Sequence, residues 1–154
     1  MSYIFNYYYS PIGLLEMKIK ANKLCGLSFA EKQNFPANNH PLVEEIQNQL
    51  DGYFLDKRKD FDLPLLFEGT EFQKKVWQAL LEISYGNTAS YKDIALRIKK
   101  PGAMRAVGGA NHMNPLVIIV PCHRVVGMDG KLIGYGGGLW RKEWLLKHER
   151  ALLV

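Results

Sequence analysis

The hydrophobic period of the chain changes near Thr70, and this change constrains the fold more than any other feature of the sequence. Before Thr70, three segments alternate apolar and polar residues and are separated by turns rich in Ser, Pro, Gly and Asn. A period of two indicates strands, so the first half predicts a small antiparallel sheet over residues 3–9, 13–20 and 23–29. A polar loop over 31–40 and a helix over 41–55 are predicted to complete this half.

After Thr70 the apolar residues recur at helical spacing. Two capping boxes of the form Ser/Thr-x-x-Gln/Asp predict helix starts, and Pro101-Gly102 breaks the second helix. The pattern predicts helices that begin at Thr70 and Ser90, a third from Ala103 to about His112, and a last one from Trp140 to about Leu153. Two short helices joined by a turn outline a helix-turn-helix unit, and a helical hairpin in an ordinary core is the alternative.

The positive charge of the chain is concentrated in its second half. The net charge is +5, with 7 basic and 9 acidic residues over 1–70 but 13 basic and 6 acidic residues over 71–154. Such asymmetry is typical of a unit that binds a polyanion. A solvated basic surface without a specific partner explains the same numbers.

Several function classes are excluded by what the sequence lacks. No apolar run approaches the roughly 20 residues of a membrane span, and the N-terminus has no signal-peptide pattern, so we expect an intracellular protein. In that compartment Cys25 and Cys122 are not expected to form a disulfide. The four histidines lack zinc-binding spacing, and the glycine loop 134–138 matches neither a dinucleotide fingerprint nor a P-loop. We therefore expect no metal and no cofactor.

One of the two cysteines lies in a setting that suggests reactivity. Cys25, in an apolar segment, is interpreted as a small buried hydrophobe. Cys122 follows the apolar run 116–120 and Pro121, which cannot continue a central strand. We therefore predict Cys122 at the exit of a strand, where His123 as a base or Arg124 as a positive charge would favour its thiolate.

The geometry of this predicted strand leaves two questions open. Neighbours in an extended chain point to opposite faces, so Cys122 and His123 act together only if the chain turns or a water bridges them. A histidine base also needs an acid to orient it. Sequence spacing does not choose among the candidate acids Asp129, Glu143 and Glu149.

A set of short motifs spans about residues 70–149: FQKKVWQAL, YGNTASYKDIA, RAVGGA, NP, PCHRV, GYGGG and KEWLLKHE. In this order and at this spacing, the motifs resemble those of the O6-alkylguanine-DNA alkyltransferases, also called methylated-DNA–protein-cysteine methyltransferases. The first half matches only in size and coarse pattern. The resemblance implies an α+β fold: an N-terminal sheet-plus-helix, ribonuclease H-like domain over 1–69 and a mainly helical, winged helix-turn-helix domain over 70–154 that binds DNA.

The resemblance also implies catalytic roles for residues of this chain. Cys122 corresponds to the cysteine that accepts the alkyl group, His123 to the histidine that deprotonates it through water, and Glu149 to the acid that orients the histidine. Asn114 corresponds to the asparagine that braces the turn before the active site. Tyr91 corresponds to a tyrosine near the DNA phosphate that protonates the leaving guanine.

DNA-binding and pocket residues follow from the same resemblance. Arg105 corresponds to the arginine that fills the gap left by a flipped nucleotide. Small side chains on the same predicted helix as Arg105 let that helix approach the minor groove. Further residues line the guanine pocket. The helix positions are Ala103, Ala106 and Gly109, and the pocket positions are Tyr135, Gly136 and Val125.

The implied activity is a direct transfer from O6-alkylguanine, and also O4-alkylthymine, in double-stranded DNA to Cys122, once per molecule, by a monomer without cofactor. A lesion-binding relative that transfers nothing and a cysteine hydrolase with multiple turnovers are the alternatives. The chain departs from some relatives at Gly136, where they carry serine, at Ile133, often a glycine, and at His112-Met113. The zinc ligands found in the first domain of some relatives are absent. These departures bear on pocket size and DNA affinity.

Overall fold

The structure is a computed structural model that describes residues 2–151. Its internal contacts divide the chain between Phe67 and Glu68 into two compact units. Over the described range, the first unit contains three strands and one α-helix, and the second contains four α-helices and a short 3-10 helix. Residues 2–151 include no helix that is both long and apolar enough to cross a membrane.

The first unit is built on a tightly connected antiparallel sheet. Its strands are β1 (Ile4–Ser10), β2 (Gly13–Lys20) and β3 (Lys23–Ala30), in the order β1-β2-β3. Ala21 and Asn22 connect β2 to β3 and have φ of 52° and 60°. Positive φ at both residues is what a two-residue type I′ hairpin turn requires. The three alternating segments of the sequence therefore form strands within one residue of their predicted bounds.

A single helix completes the core of this unit. Helix α1 (Pro41–Phe54) begins after His40, whose Nδ1 accepts a hydrogen bond from the Leu42 amide at 3.0 Å. Cys25 is buried here, as predicted for a small hydrophobe. The sheet and the helix bury apolar side chains that include Leu15, Met17, Ile19, Leu27, Val43, Ile46, Leu50 and Tyr53.

Both predicted capping boxes start helices in the second unit. Thr70 Oγ1 accepts from the Gln73 amide at 3.1 Å at the start of α2 (Glu71–Leu80). Ser90 Oγ accepts from the Asp93 amide at 3.0 Å at the start of α3 (Tyr91–Arg97). In each box the side chain of the third helical residue accepts from the cap amide in return, which satisfies two terminal donors.

The remaining helices bring the predicted site into one unit. Helix α4 (Met104–His112) follows the Pro101-Gly102 turn, and the Trp77 indole of α2 donates to the Ala110 carbonyl at 2.9 Å. Helix α5 (Leu139–His148) ends earlier than predicted, because Arg150 adopts a left-handed φ of 61°. The predicted end at Leu153 lies outside the described residues.

The predicted strand before Cys122 is wrong. Residues 117–119 form a turn in which the Val120 amide donates to the Leu116 carbonyl at 2.9 Å, and Cys122–Arg124 form the 3-10 helix. The Asn114 side chain bonds the backbone of this turn, donating to the Val120 carbonyl at 2.8 Å and accepting from the Leu116 amide at 3.0 Å. A side chain therefore supplies the partners that a neighbouring strand would otherwise provide.

Candidate active site

The turn that carries the cysteine is buried and strained. Ile118 has a φ of 73°, a conformation that a β-branched residue adopts only at a cost of about 1–3 kcal/mol. Cys122 follows in the 3-10 helix and is only 5% exposed. Because the chain turns at Cys122, the opposite-face geometry of an extended strand does not apply to Cys122 and His123. Asn114, expected to brace this turn, makes the backbone bonds described above.

A buried network of three charged or titratable side chains lies behind the cysteine. His123 Nε2 is 2.7 Å from Glu149 Oε2, and Arg124 reaches both carboxylate oxygens, at 2.8 and 3.1 Å. Arg124 also donates to the Ile83 carbonyl at 2.5 Å. The side chains of His123 and Glu149 have no exposed surface, so these bonds are made without competing water.

Glu149 is the acid that contacts His123 among the three candidates from the sequence. Asp129 is exposed and accepts from the Lys131 amide at 3.1 Å within its own turn. Glu143 pairs with Lys147 at 2.8 Å on the surface of α5. The choice among the acids depended on how α5 packs, because Glu149 lies 26 residues after His123 in the sequence.

The network sets the charge and the proton position of His123. Burial alone would raise the pKa of Glu149, but His123 and Arg124 outweigh burial and hold that pKa below its usual value. Burial lowers the pKa of His123, against the opposing effect of Glu149. A neutral imidazole whose Nε2–H donates to the carboxylate leaves Nδ1 as the acceptor, and the buried Nδ1 has no hydrogen-bond partner among residues 2–151.

The resting cysteine is held as a thiol rather than a thiolate. Burial raises the pKa of Cys122 to about 11, although a hydrogen bond from Asn114 and the charge of Lys142 lower it in part. Arg124 directs its guanidinium at Glu149, and the positive charge named above as lowering the pKa of Cys122 belongs to Lys142. A reaction at this sulfur would therefore require removal of its proton, and a nearby unprotonated base suits such a step.

Tyr91 begins α3 and lies against the small-residue surface of α4. A Cβ built on Gly108 would be in ordinary van der Waals contact with the Tyr91 ring, at 3.9 Å, so the ring lies directly beside this position of α4. Burial raises the pKa of Tyr91, and a hydrogen bond from Asn111 opposes the shift while the charge of Cys122 adds to it. Tyr91 is thus a protonated phenol near the cysteine and is able to donate a proton or a hydrogen bond.

The glycine-rich loop brings a second phenol to the same site. The Tyr135 hydroxyl is buried and has no partner in the described range, and burial with the charge of Cys122 raises its pKa well above the usual value. Gly136 is exposed, and a Cβ there would meet only the His112 carbonyl at 4.0 Å. Val125 is fully buried, and its carbonyl accepts a hydrogen bond from Lys142 at 2.5 Å.

The expected DNA-binding positions lie together on the open side of α4. The helix buries Val107, Ala110 and Asn111, and no atom of residues 2–151 lies within 4 Å of a Cβ built on Gly109. Ala103 precedes the helix and is half-buried. The exposed positions are Arg105, Ala106 and Gly109.

Lys142 and Asn111 are buried residues of the site that were not predicted from the sequence. A signal was present, because Lys142, Leu145, Leu146 and Glu149 follow the spacing of one helix face. For Asn111, the signal in the sequence was a polar side chain at a position of α4 that faces the core. No three His, Cys, Asp or Glu side chains within residues 2–151 converge as metal ligands.

Comparison with known proteins agrees with this architecture. Residues 71–151 match the family model "6-O-methylguanine DNA methyltransferase, DNA binding domain", and residues 3–67 match the ribonuclease-like domain of the same family. The methylated-DNA–protein-cysteine methyltransferase of Methanosarcina barkeri is 50% identical over 146 residues, covering 91% of this chain and 92% of its own length.

Solved structures give the same result. The O6-methylguanine methyltransferase of Mycobacterium tuberculosis superposes with a TM-score of 0.88 at 44% identity, over 97% of this chain and 94% of that chain. Mycobacterium tuberculosis OGT in complex with DNA gives a TM-score of 0.87 at 45% identity, over 96% of this chain and 92% of that chain. The α+β fold with two domains predicted from the sequence is confirmed, and the chain belongs to the 6-O-methylguanine DNA methyltransferase family.

Proposed function

We propose that this protein repairs double-stranded DNA by transferring an alkyl group from O6 of guanine to Sγ of its own Cys122. Membership of the family and the DNA complex of a relative support the substrate class. One observation carries the assignment of the residues: a buried neutral base, His123, is held by Glu149 through Nε2 and keeps Nδ1 unpartnered in the described structure, beside a buried thiol.

The proposed step balances without any co-reactant. The sulfur attacks the alkyl carbon, the S–C bond forms, and the C–O6 bond breaks with its electron pair passing to guanine. The thiol proton passes through a water molecule to Nδ1 of His123, and Glu149 stabilises the imidazolium. Tyr91 donates a proton to the leaving guanine and recovers one as the imidazolium returns to neutrality. The products are guanine in DNA and S-alkylcysteine.

The reaction requires the base to leave the stack. O6 lies within the duplex and Cys122 is 5% exposed in this protein, so the nucleotide must turn out into the pocket beside Tyr135. The open side of α4, with its small residues and Arg105, fits the minor groove, where Arg105 would occupy the gap. Recognition would rest mainly on phosphate contacts by the basic second half, since a lesion occurs in any sequence context.

Each molecule would act once. The product is a thioether. To regenerate the thiol, a nucleophile would have to take the alkyl carbon from the sulfur, and the weak nucleophiles of a protein site do not break this S–C bond. A hydrolase that used Cys122 and His123 would instead release the group to water and regenerate the thiol. The number of guanines repaired per protein therefore separates the two chemistries.

The test uses a duplex that carries O6-methylguanine labelled in the methyl group. We expect label on the wild-type protein, at one equivalent at most, and none on Cys122→Ala. Cys25→Ala is the matched control, because Cys25 is the second buried cysteine and lies in the other unit. Label that persists in Cys122→Ala, or repair of several guanines per protein, would refute the proposal. A second duplex with labelled O4-methylthymine tests the wider substrate range.

A further inference from the structure

Lys142 carries a charge in the interior of the second unit. Its relative exposure is 0%, which is rare for a lysine because the ammonium loses its hydration there. It lies on the face of α5 that also presents Leu145, Leu146 and Glu149. The proposed transfer step gives it no role, so its burial needs a separate explanation.

The ammonium group bonds to two separate segments of the chain. Its Nζ donates to the Val125 carbonyl at 2.5 Å, immediately after the 3-10 helix that carries Cys122. It also donates to the carbonyls of Ile133 at 2.6 Å and Gly134 at 3.4 Å, immediately before Tyr135. One side chain of α5 therefore connects the cysteine turn to the loop 127–138, which we call the pocket loop.

The turns of the pocket loop do not fix it to the rest of the unit. The Gly127 amide donates to the Lys131 carbonyl at 2.8 Å, and the Gly138 amide donates to the Tyr135 carbonyl at 2.9 Å. These bonds shape the loop at its two ends but join it only to itself. Arg141 of α5 holds the end of the loop, because its Nη1 donates to the Gly137 carbonyl at 2.9 Å. The bonds from Lys142 attach the middle of the loop, at Ile133 and Gly134, to the same helix.

We propose that Lys142 is a positioning residue that holds the pocket loop, and with it Tyr135, against the Cys122 turn, and whose charge favours the thiolate that forms during transfer. The second part rests on the proposed function. Three carbonyls require three N–H donors, which only the protonated amine offers. The neutral amine has two donors and a lone pair, so deprotonation releases one carbonyl and weakens the attachment.

The electrostatics of the site agree with this role. Burial lowers the pKa of Lys142 to about 8, and the charge of Cys122 opposes that shift. In return, the charge of Lys142 lowers the pKa of Cys122 and also that of His123. Arg141 and Glu149 also act on Tyr135, so the variants below leave Tyr135, Arg141 and Glu149 unchanged.

The first measurement is hydrogen exchange of the full-length protein without DNA. In Lys142→Met we expect protection of the pocket loop to fall by about tenfold or more, the range for lost hydrogen bonds to a charged group, with α2 unchanged. Lys147→Met is the matched control, because Lys147 lies on the same helix but is exposed and pairs only with Glu143 in the contacts described here. Equal loop protection in all three proteins would overturn the inference.

The second measurement separates electrostatics from simple support. In a Cys25→Ala background, the rate of carbamidomethylation of Cys122 at pH 7, where Lys142 is charged, reports the thiolate fraction, and we expect this rate to fall in Lys142→Met. Methyl transfer should slow by about tenfold or more while affinity for undamaged duplex changes less than about twofold. An unchanged carbamidomethylation rate at pH 7 would overturn the electrostatic part.

The wild-type protein provides a test that needs no variant. Loop protection, corrected for intrinsic exchange, should fall as Lys142 deprotonates around its pKa of about 8, while α2 keeps its protection. Constant loop protection across that range would overturn the inference even if Lys142→Met fails to fold. If wild-type protein takes up no label from DNA, the proposed function fails, whereas the exchange data still judge the attachment by Lys142.

Discussion

Replacing Glu149 with glutamine removes the negative charge on which the buried network depends. In the wild type the carboxylate accepts from His123 at 2.7 Å and from Arg124 at 2.8 and 3.1 Å. An amide of the same shape keeps one acceptor oxygen but presents an NH2 group to donors. The guanidinium, whose side chain is 7% exposed, then keeps its charge without a counter-charge.

Two separate losses follow from this change. Breaking a buried ion pair by removing one partner typically costs about 3–5 kcal/mol of stability, and Glu149→Gln should fall in that range. The transfer rate should fall by about 10²–10⁴, the usual worth of general base catalysis. The cause is energetic: burial raises the pKa of the thiol and lowers that of His123, so proton transfer between them is unfavourable and depends on the Glu149 carboxylate to stabilise the imidazolium.

Single-turnover transfer from labelled DNA measures the rate, and urea unfolding measures the stability. Glu143→Gln is the matched control, since Glu143 is on the same helix and its pair with Lys147 is 46% exposed on both side chains. That control should change stability by less than about 1 kcal/mol and leave the rate unaltered. If folded Glu149→Gln transferred methyl groups within about threefold of the wild-type rate, the role of Glu149 in catalysis would be refuted.

Three further predictions concern pH, the pocket and the DNA-binding face. Because the pKa of Glu149 in the folded protein lies below the unfolded value of 4.5, its stabilising effect is complete above pH 4.5 and is lost as the pH falls below that value. The free energy of unfolding in urea, measured against pH, should therefore fall in this acid range in the wild type, and Glu149→Gln should lose that part of the fall. Gly136→Ser should leave the thermal midpoint unchanged, since a Cβ there meets only one carbonyl at 4.0 Å, and a lowered midpoint would contradict this geometry. Arg105→Ala, at an exposed position, should change stability by less than about 0.5 kcal/mol but slow transfer from duplex DNA, and equal rates for both proteins would argue against its insertion into the stack.

The sequence by itself determined the local elements of this protein. Alternation predicted three strands, and the side chains of Thr70 and Ser90 marked two helix starts that the structure confirms. These features depend on contacts between residues close in the chain, so the pattern contains the information needed to predict them. The PCHRV motif predicts that Cys122 is the reactive cysteine, and the family match supports the resemblance behind that prediction.

The environment of that cysteine was decided by tertiary structure. An apolar run such as 116–120 has the same pattern in a buried strand and in a buried turn, and the Asn114 side chain selected the turn. Glu149 and Lys142 reach the site because α5 packs against the 3-10 helix, far away in sequence. The raised thiol pKa and the lowered lysine pKa follow from burial, and burial is a property of the packed unit that no local pattern of residues contains.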